Sequence, residues 1–370
     1  MPVYRNRLLT PGPVELHPKA LEALSRPQLH HRTDEARALF QAAREGLKRA
    51  WNTEGEVLLL TGSGTLAMEA LVLNLFAPGE RVWVPVHGKF SERWAEIAQS
   101  LGLEVVRQDL EWGRVVRPEG VEELSGPFHG ALLTHSESST GAQNDIRALA
   151  QAFKSRFPEA LVVADMVTSL LVSPVALEPW GIDAAASGSQ KGTMCPPGLG
   201  YAALAPGAIE RLRPRGYYLN LAKERKAQAE GESAWTPAIN LVAAVAGVLE
   251  EVLPGLEDHL RLKAQQTERL YGAGEWVGLK PVPEVKSPAT TCFWLPEGVK
   301  YAQVKEAFAR RGATIIGGQG VLKGKIFRVS LMGYSDIYDA YAVAELMKDA
   351  VRSLVEPQGL PKTHSPWPGP

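Results

Sequence analysis

The chain has 370 residues, a hydrophobic share of 45%, a charged share of 22% and a net charge of −1. This is the composition of an ordinary globular protein with room for two domains, and the near-neutral balance offers no basic surface for nucleic acid and no acidic tail. Two widely separated cysteines, Cys195 and Cys292, supply neither a disulfide framework nor a metal cluster, so a small-molecule ligand and a reducing cytoplasm are expected.

The first residues, MPVYRNRLLTPGPV, contain no apolar targeting core, and no apolar run is expected to reach the ~20 residues that span a bilayer, so no membrane association is expected. A loop with LHHRT (29–33) precedes the helical pattern EARALFQAAREGLKRA. From residue 55 to 205, β-rich runs alternate with helical ones. The strand candidates are EVLLLT (56–61), RVWVPV (81–86), LEVVRQ (103–108), GALLTH (130–135), ALVVAD (160–165), DAAASG (183–188) and LGYAALA (199–205). Between them GTLAMEALVLNLF, FSERWAEIAQSLG and IRALAQAFKSRF are each long enough for about three helical turns. This alternation predicts an α/β fold, a mostly parallel sheet of seven strands covered by helices, with ligands at the carboxyl ends of the strands.

After residue 205 come two long helical patterns, 237–253 and 256–272. A small α+β unit follows: strand-like TTCFWL, helical YAQVKEAFARRG, strand-like ATIIGG and IFRVSL, and a helix from SDIYDAYAVAELMKDAVRSLV. The expected division is a large domain over 1–255 that includes the N-terminal segment, a small C-terminal domain over 256–355, and a disordered proline-rich tail over 356–370.

Three strand ends carry chemistry. After the first strand, TGSGTLAMEA (61–70) turns tightly into a helix, so backbone amides, hydroxyls and the positive helix end are placed to hold a phosphate; the pattern is neither a P-loop nor a GxGxxG fingerprint. Asp165 ends an apolar strand, where a carboxylate is costly without a cationic partner. Lys191 sits in ASGSQKGTMCPPGLG (186–200) with no carboxylate within seven residues on either side. Such a setting disfavours the ammonium form and yields an amine nucleophile. A phosphate cradle, a buried acid and an apolar-set lysine are the three groups that pyridoxal 5'-phosphate requires.

TPGP, TGSGTLAMEA, THSESSTG, VVADMVTS, SGSQKG with PPGLG, and FRVSLMG together resemble the class V aminotransferases of pyridoxal phosphate fold type I, the group of alanine-glyoxylate, serine-glyoxylate and serine-pyruvate aminotransferases. The resemblance runs from residue 8 to 333. It implies a large PLP-binding domain with a small C-terminal one. Lys191 would form the Schiff base and shuttle protons, and Asp165 would pair with the pyridine nitrogen and be held ionised by it. Ser63, Gly64, Thr65 and Gln190 would surround the phosphate. Phe90 would stack on the ring, a thinner contact than the Trp or Tyr often found there, and Ser138 would lie close to the pyridine oxygen. Arg328 would clamp the substrate α-carboxylate, as its planar fork suits, and Gly12 would lie beside the substrate. Thr236 would reach the phosphate of the neighbouring subunit, which implies a homodimer with shared active sites.

The activity so implied is ping-pong amino transfer between alanine or serine and glyoxylate or pyruvate, with aspartate as the alternative donor. Arg32, with His30 and His31 beside it, is the candidate for reading an acidic side chain. A cysteine desulfurase or lyase would share Lys191 and Asp165 but usually has His before the lysine, where this chain has Gln190. A hydrogenase-associated subunit would need metal or cluster ligands beyond two isolated cysteines.

Overall fold

A computed structural model describes residues 6–355. The tail expected to be disordered, 356–370, lies outside the described residues. All seven expected strands form: β1 (Glu56–Gly62), β2 (Arg81–Val86), β3 (Glu104–Asp109), β4 (Gly130–Thr134), β5 (Leu161–Asp165), β6 (Ala184–Gly188) and β7 (Gly198–Leu204). They make one sheet in the order β1-β7-β6-β5-β4-β2-β3, in which only β7 runs antiparallel to its neighbours.

Alternate residues of each strand enter opposite cores. Val57, Leu59, Ala131, Leu133, Val162 and Ala164 face one, while Leu58, Leu60, Leu132, Leu161 and Val163 face the other. Both faces of the inner strands are therefore dry, which is why these read as continuous apolar runs, whereas the edge strand β3 is partly exposed and carries Glu104, Arg107, Gln108 and Asp109. The first core is closed by α1 (Pro18–Ser25), α2 (Asp34–Ala50), α5 (Ile146–Arg156) and α6 (Ile239–Val252), the second by α3 (Gly64–Leu75) and α4 (Lys89–Ser100). Thr33 caps α2 through the Ala36 amide and Asp145 caps α5 through that of Ala148.

The expected boundary at residue 255 falls in a short 3-10 turn, Leu253–Gly255, between α6 and α7 (Leu256–Trp276). Beyond it a third core gathers Leu270 and Tyr271 of α7, Phe293 of β8 (Thr291–Trp294) and Phe308 of α8 (Tyr301–Ala309). Phe327 of β10 (Ile326–Val329) and Met347 of α9 (Ile337–Val355) complete it. Its sheet is antiparallel, in the order β8-β10-β9, with β9 at Ile316–Gly317. Residues 7–9, expected with the large unit, join this one: Arg7 and Leu8 pair with Ala313 and Thr314, and Leu9 is in the third core.

Two expectations need correction. ATIIGG is not one strand, because Ala313–Thr314 pairs with the N-terminal segment whereas Ile316–Gly317 pairs with β10. Among the described residues the helical span Ile239–Trp276 is long and apolar enough to cross a bilayer by length and composition, with a mean hydropathy of 1.6 in its best window. Half of that window is buried, because α6 packs on α1 and α2. The sequence also passes unnoticed over helices at Pro18–Ser25 and Leu221–Ala229.

Candidate active site

Residues following β1, β2, β4, β5 and β6 meet at the carboxyl edge of the sheet and line an open cavity of about 450 Å³. Its wall includes Ser63, Gly64, Thr65, Phe90, Ser138, Asp165, Gln190 and Lys191, all of which the sequence singled out. Met68, Arg93 and Ser136 join them, together with Val167 and Thr168.

Lys191 lies in the reversal between β6 and the antiparallel β7, where Ser189 Oγ donates to Pro196 O at 2.6 Å and Thr193 Oγ1 to Ser189 O at 2.9 Å. These bonds within residues 189–197 fix the loop without any charged group. Its ammonium donates to Pro11 O, and the side chain is 8% exposed. Burial, with the nearby Arg328 cation, lowers its pKa to about 8. Gly12 has φ +121°, and a Cβ there would overlap the end of Lys191. The TPGP turn therefore closes over the amine as only glycine allows.

Asp165 ends β5 between Thr134 of β4 and Ala186 of β6, and one of its oxygens accepts from the Val167 amide at 2.8 Å. In the chain alone, burial pushes its pKa up to about 7 against that amide, and Glu137 pushes the same way. The expected ionised state thus needs a cation brought into the cavity.

Ser63 is the N-cap residue of α3, yet its hydroxyl makes no capping bond and remains available to a ligand. Gln190 Oε1 is buried without a partner. Phe90 is in the first turn of α4, where the second and third amides are held by Glu137: its Oε2 accepts from Phe90 N at 3.0 Å, Ser91 N at 2.8 Å and Ser91 Oγ at 3.0 Å. Gly88 makes this possible, since a side chain there would collide with the Glu137 carboxylate. Arg93, one turn further, donates from Nη1 to Thr65 Oγ1 at 3.0 Å, and its Cζ stands 4.9 Å from the Phe90 ring centre. The sequence reading missed both residues. Glu137 was visible inside SESSTG, and Arg93 follows Phe90 by three positions, hence on the same helical face.

Arg328, on β10, is 2% exposed. Its Nε and Nη2 donate to Gly317 O at 3.0 and 2.8 Å, and Nη1 donates to Ser138 O at 2.8 Å. Among the described residues no carboxylate pairs with it. Three bonds leave one N–H on each terminal nitrogen of the fork.

Arg32 and Thr236 are exposed and lie outside the cavity wall of their own chain. Their segments are neighbours: Arg37 Nη2 donates to Glu232 Oε1 at 2.6 Å, and Arg32 acts electrostatically on the same Glu232. His30 stacks on His31, with ring centres 4.7 Å apart.

The profile of the aminotransferase class-V family matches residues 18–343. This chain belongs to the class-V aminotransferases. A solved Thermus thermophilus structure, described as an aspartate aminotransferase of subgroup IV, is 66% identical and superposes with a TM-score of 0.93, covering 95% of this chain and 100% of the other. A Synechococcus protein named soluble hydrogenase, small subunit, is 34% identical over 94% of this chain and 93% of its own length. The serine-glyoxylate aminotransferase of Methylorubrum extorquens is 30% identical over 89% of this chain and 87% of its own. The protein is thus an aminotransferase of the α/β fold type I. The cavity fits the class-V cofactor, pyridoxal 5'-phosphate: it brings together a buried amine, a carboxylate that makes no ion pair among the described residues, and a helix N-terminus with an unspent hydroxyl beside it.

Proposed function

We propose that this class-V aminotransferase takes its amino group from aspartate, or another amino acid with an acidic side chain, and passes it to a 2-oxo acid by a ping-pong route. The observation that carries this is the 66% identity to the Thermus thermophilus protein described as an aspartate aminotransferase. Alanine or serine with glyoxylate or pyruvate, the pairing ranked first on the resemblance, becomes the second reading, favoured by the likeness to the serine-glyoxylate enzyme. The hydrogenase name of the Synechococcus relative suggests redox work, but both thiols of this chain are buried and burial pushes each up to about 12.

When bound, the cofactor supplies an aldehyde that takes up the amine and a ring that accepts electrons from the substrate. Lys191 would hold the cofactor covalently through that aldehyde, with loss of water, and would move a proton at the substrate Cα, a role suited to an amine whose pKa is lowered to about 8. Asp165 would pair with the pyridine nitrogen and hold its proton. Ser63, Gly64, Thr65 and Gln190 would hold the phosphate, Phe90 would stack on the ring and Ser138 would lie near its oxygen. Arg328 would offer its two remaining N–H bonds to the α-carboxylate, and Gly12 lets the TPGP turn lie against Lys191 beside the substrate.

The chain works as a cytoplasmic homodimer in which Thr236 completes the partner's phosphate site. Arg32, carried beside the Glu232–Thr236 segment, then reads the acidic side chain in that same partner site. Steady-state kinetics with aspartate, alanine and serine test the reading. Aspartate is expected to give the highest kcat/KM, and Arg32→Ala to lower the aspartate value alone by at least about 10-fold, or about 1.4 kcal/mol. An equal effect on all three substrates, or none, eliminates Arg32; a higher kcat/KM for alanine or serine installs the second reading.

A further inference from the structure

We infer that Arg93 is a further phosphate-positioning residue of the cofactor site, joining the cradle helix α3 to the ring-covering residue Phe90. Three observations converge. Its guanidinium bonds Thr65 Oγ1 at 3.0 Å, stands 4.9 Å over the Phe90 ring and lines the cavity. Unlike Arg37 and Arg107, which pair with carboxylates, it makes no ion pair among the described residues, and the one acid on which its charge acts is Asp165 in the same cavity. A half-buried cation facing a cavity without a hydrogen-bonded carboxylate gains when an anion arrives.

The bond to Thr65 adds direction. A hydroxyl that accepts from a guanidinium has its own proton free to donate elsewhere, and at the first turn of α3 the open side is the cavity. Helix dipole, threonine proton and arginine charge then act on one spot, where a doubly charged phosphate gains from each. Arg93 is held in place from behind, because Glu137 fixes the first turn of α4 through the Phe90 and Ser91 amides. Phe90 and the cradle helix are thereby joined through one guanidinium.

The inference rests on the cofactor reading and not on the choice of amino acid, so binding of the cofactor tests it. Full-length protein freed of cofactor is titrated with pyridoxal 5'-phosphate and with pyridoxal, followed by tryptophan fluorescence, for wild type, Arg93→Gln and Arg93→Lys. Melting temperature checks folding. Arg93→Gln is expected to weaken binding of the phosphorylated molecule by at least about 10-fold and to leave pyridoxal within about twofold, with Arg93→Lys between the two. Inorganic phosphate should raise the melting temperature of wild type more than that of Arg93→Gln. Equal losses for both molecules, or no loss for the phosphorylated one, would overturn the assignment. A wild-type chain that takes up neither molecule overturns the cofactor reading along with it, and the pyridoxal arm tells the two failures apart.

Discussion

Lys191 and Lys263 lie in different regions, yet each is a buried lysine held by backbone carbonyls, with exposures of 8% and 1%. Burial lowers the first to about 8 and the second to about 7. Their partners differ. Lys263, on α7, donates to Leu331 O at 3.0 Å, Gly333 O at 2.7 Å and Ser335 Oγ at 3.3 Å, so each N–H of its ammonium has an acceptor. Lys191 has Pro11 O alone and otherwise faces the cavity that also contains Asp165 and Phe90. A lowered lysine pKa therefore marks burial in both places, and only the unspent valence beside a cavity marks chemistry. Lys263 instead ties α7 to the turn that follows the Arg328 strand.

Replacing each lysine is the most direct way to break that contrast. Lys191→Ala should abolish transamination, to below about a hundredth of wild type, while the melting temperature stays near that of wild type, since in the proposed role the amine acts covalently and on protons. Turnover and thermal melting measured on one preparation check this, and activity above a few per cent would remove Lys191 from its role.

Asp165→Asn sharpens the cavity side of the comparison. An amide cannot hold the pyridine nitrogen protonated, so half-reaction rates should fall at least about 100-fold while the protein folds. Stopped-flow absorbance with one amino acid at a time reads this, and an unchanged rate counts against the pairing.

Lys263→Met reads the other side. It removes three hydrogen bonds, leaving the Leu331 and Gly333 carbonyls only the Ser335 hydroxyl to share, and should cost about 2 kcal/mol or more in denaturant unfolding. Turnover per folded molecule should stay within about twofold of wild type, since the residue lies away from the cavity. A large loss of turnover without loss of stability would contradict the division of labour between the two lysines.

The smallest expected effect is a slope. Between about 7 and the ordinary 10.5, the unfolded chain holds a proton on Lys263 that the folded chain has released, so stability should rise with pH across that window. Lys191, from about 8 to 10.5, has the same sign in cofactor-free protein. Asp165, raised from 3.8 to about 7, has the opposite sign between those values. Unfolding midpoints of cofactor-free protein should show the upward limb, and Lys263→Met should flatten part of it; an unchanged limb would mean that Lys263 does not titrate there.

Most of the sheet strands were legible because they are local apolar runs, the partly exposed edge strand β3 being the exception, and the phosphate turn and the quiet surroundings of Lys191 are local too. Their gathering at the carboxyl edge follows from the α/β alternation alone. What the sequence could not show depends on distant partners. The insertion of β7 between β1 and β6 rests on pairings such as Gly198 with Gly62. The carbonyl cage of Arg328 joins residues 138 and 317, and the Arg93 bond to Thr65 crosses from one helix to another. Glu137 looks like one more polar residue in SESSTG until the fold brings the start of α4 onto its carboxylate. Lys263 sits in an ordinary charged helical pattern, and only tertiary packing buries it and supplies its three acceptors. Apolar periodicity and turn chemistry act between near neighbours and so determined the elements and the order of the motifs; which cation is left without a counter-ion depends on groups far apart in the chain, and tertiary structure alone decided it.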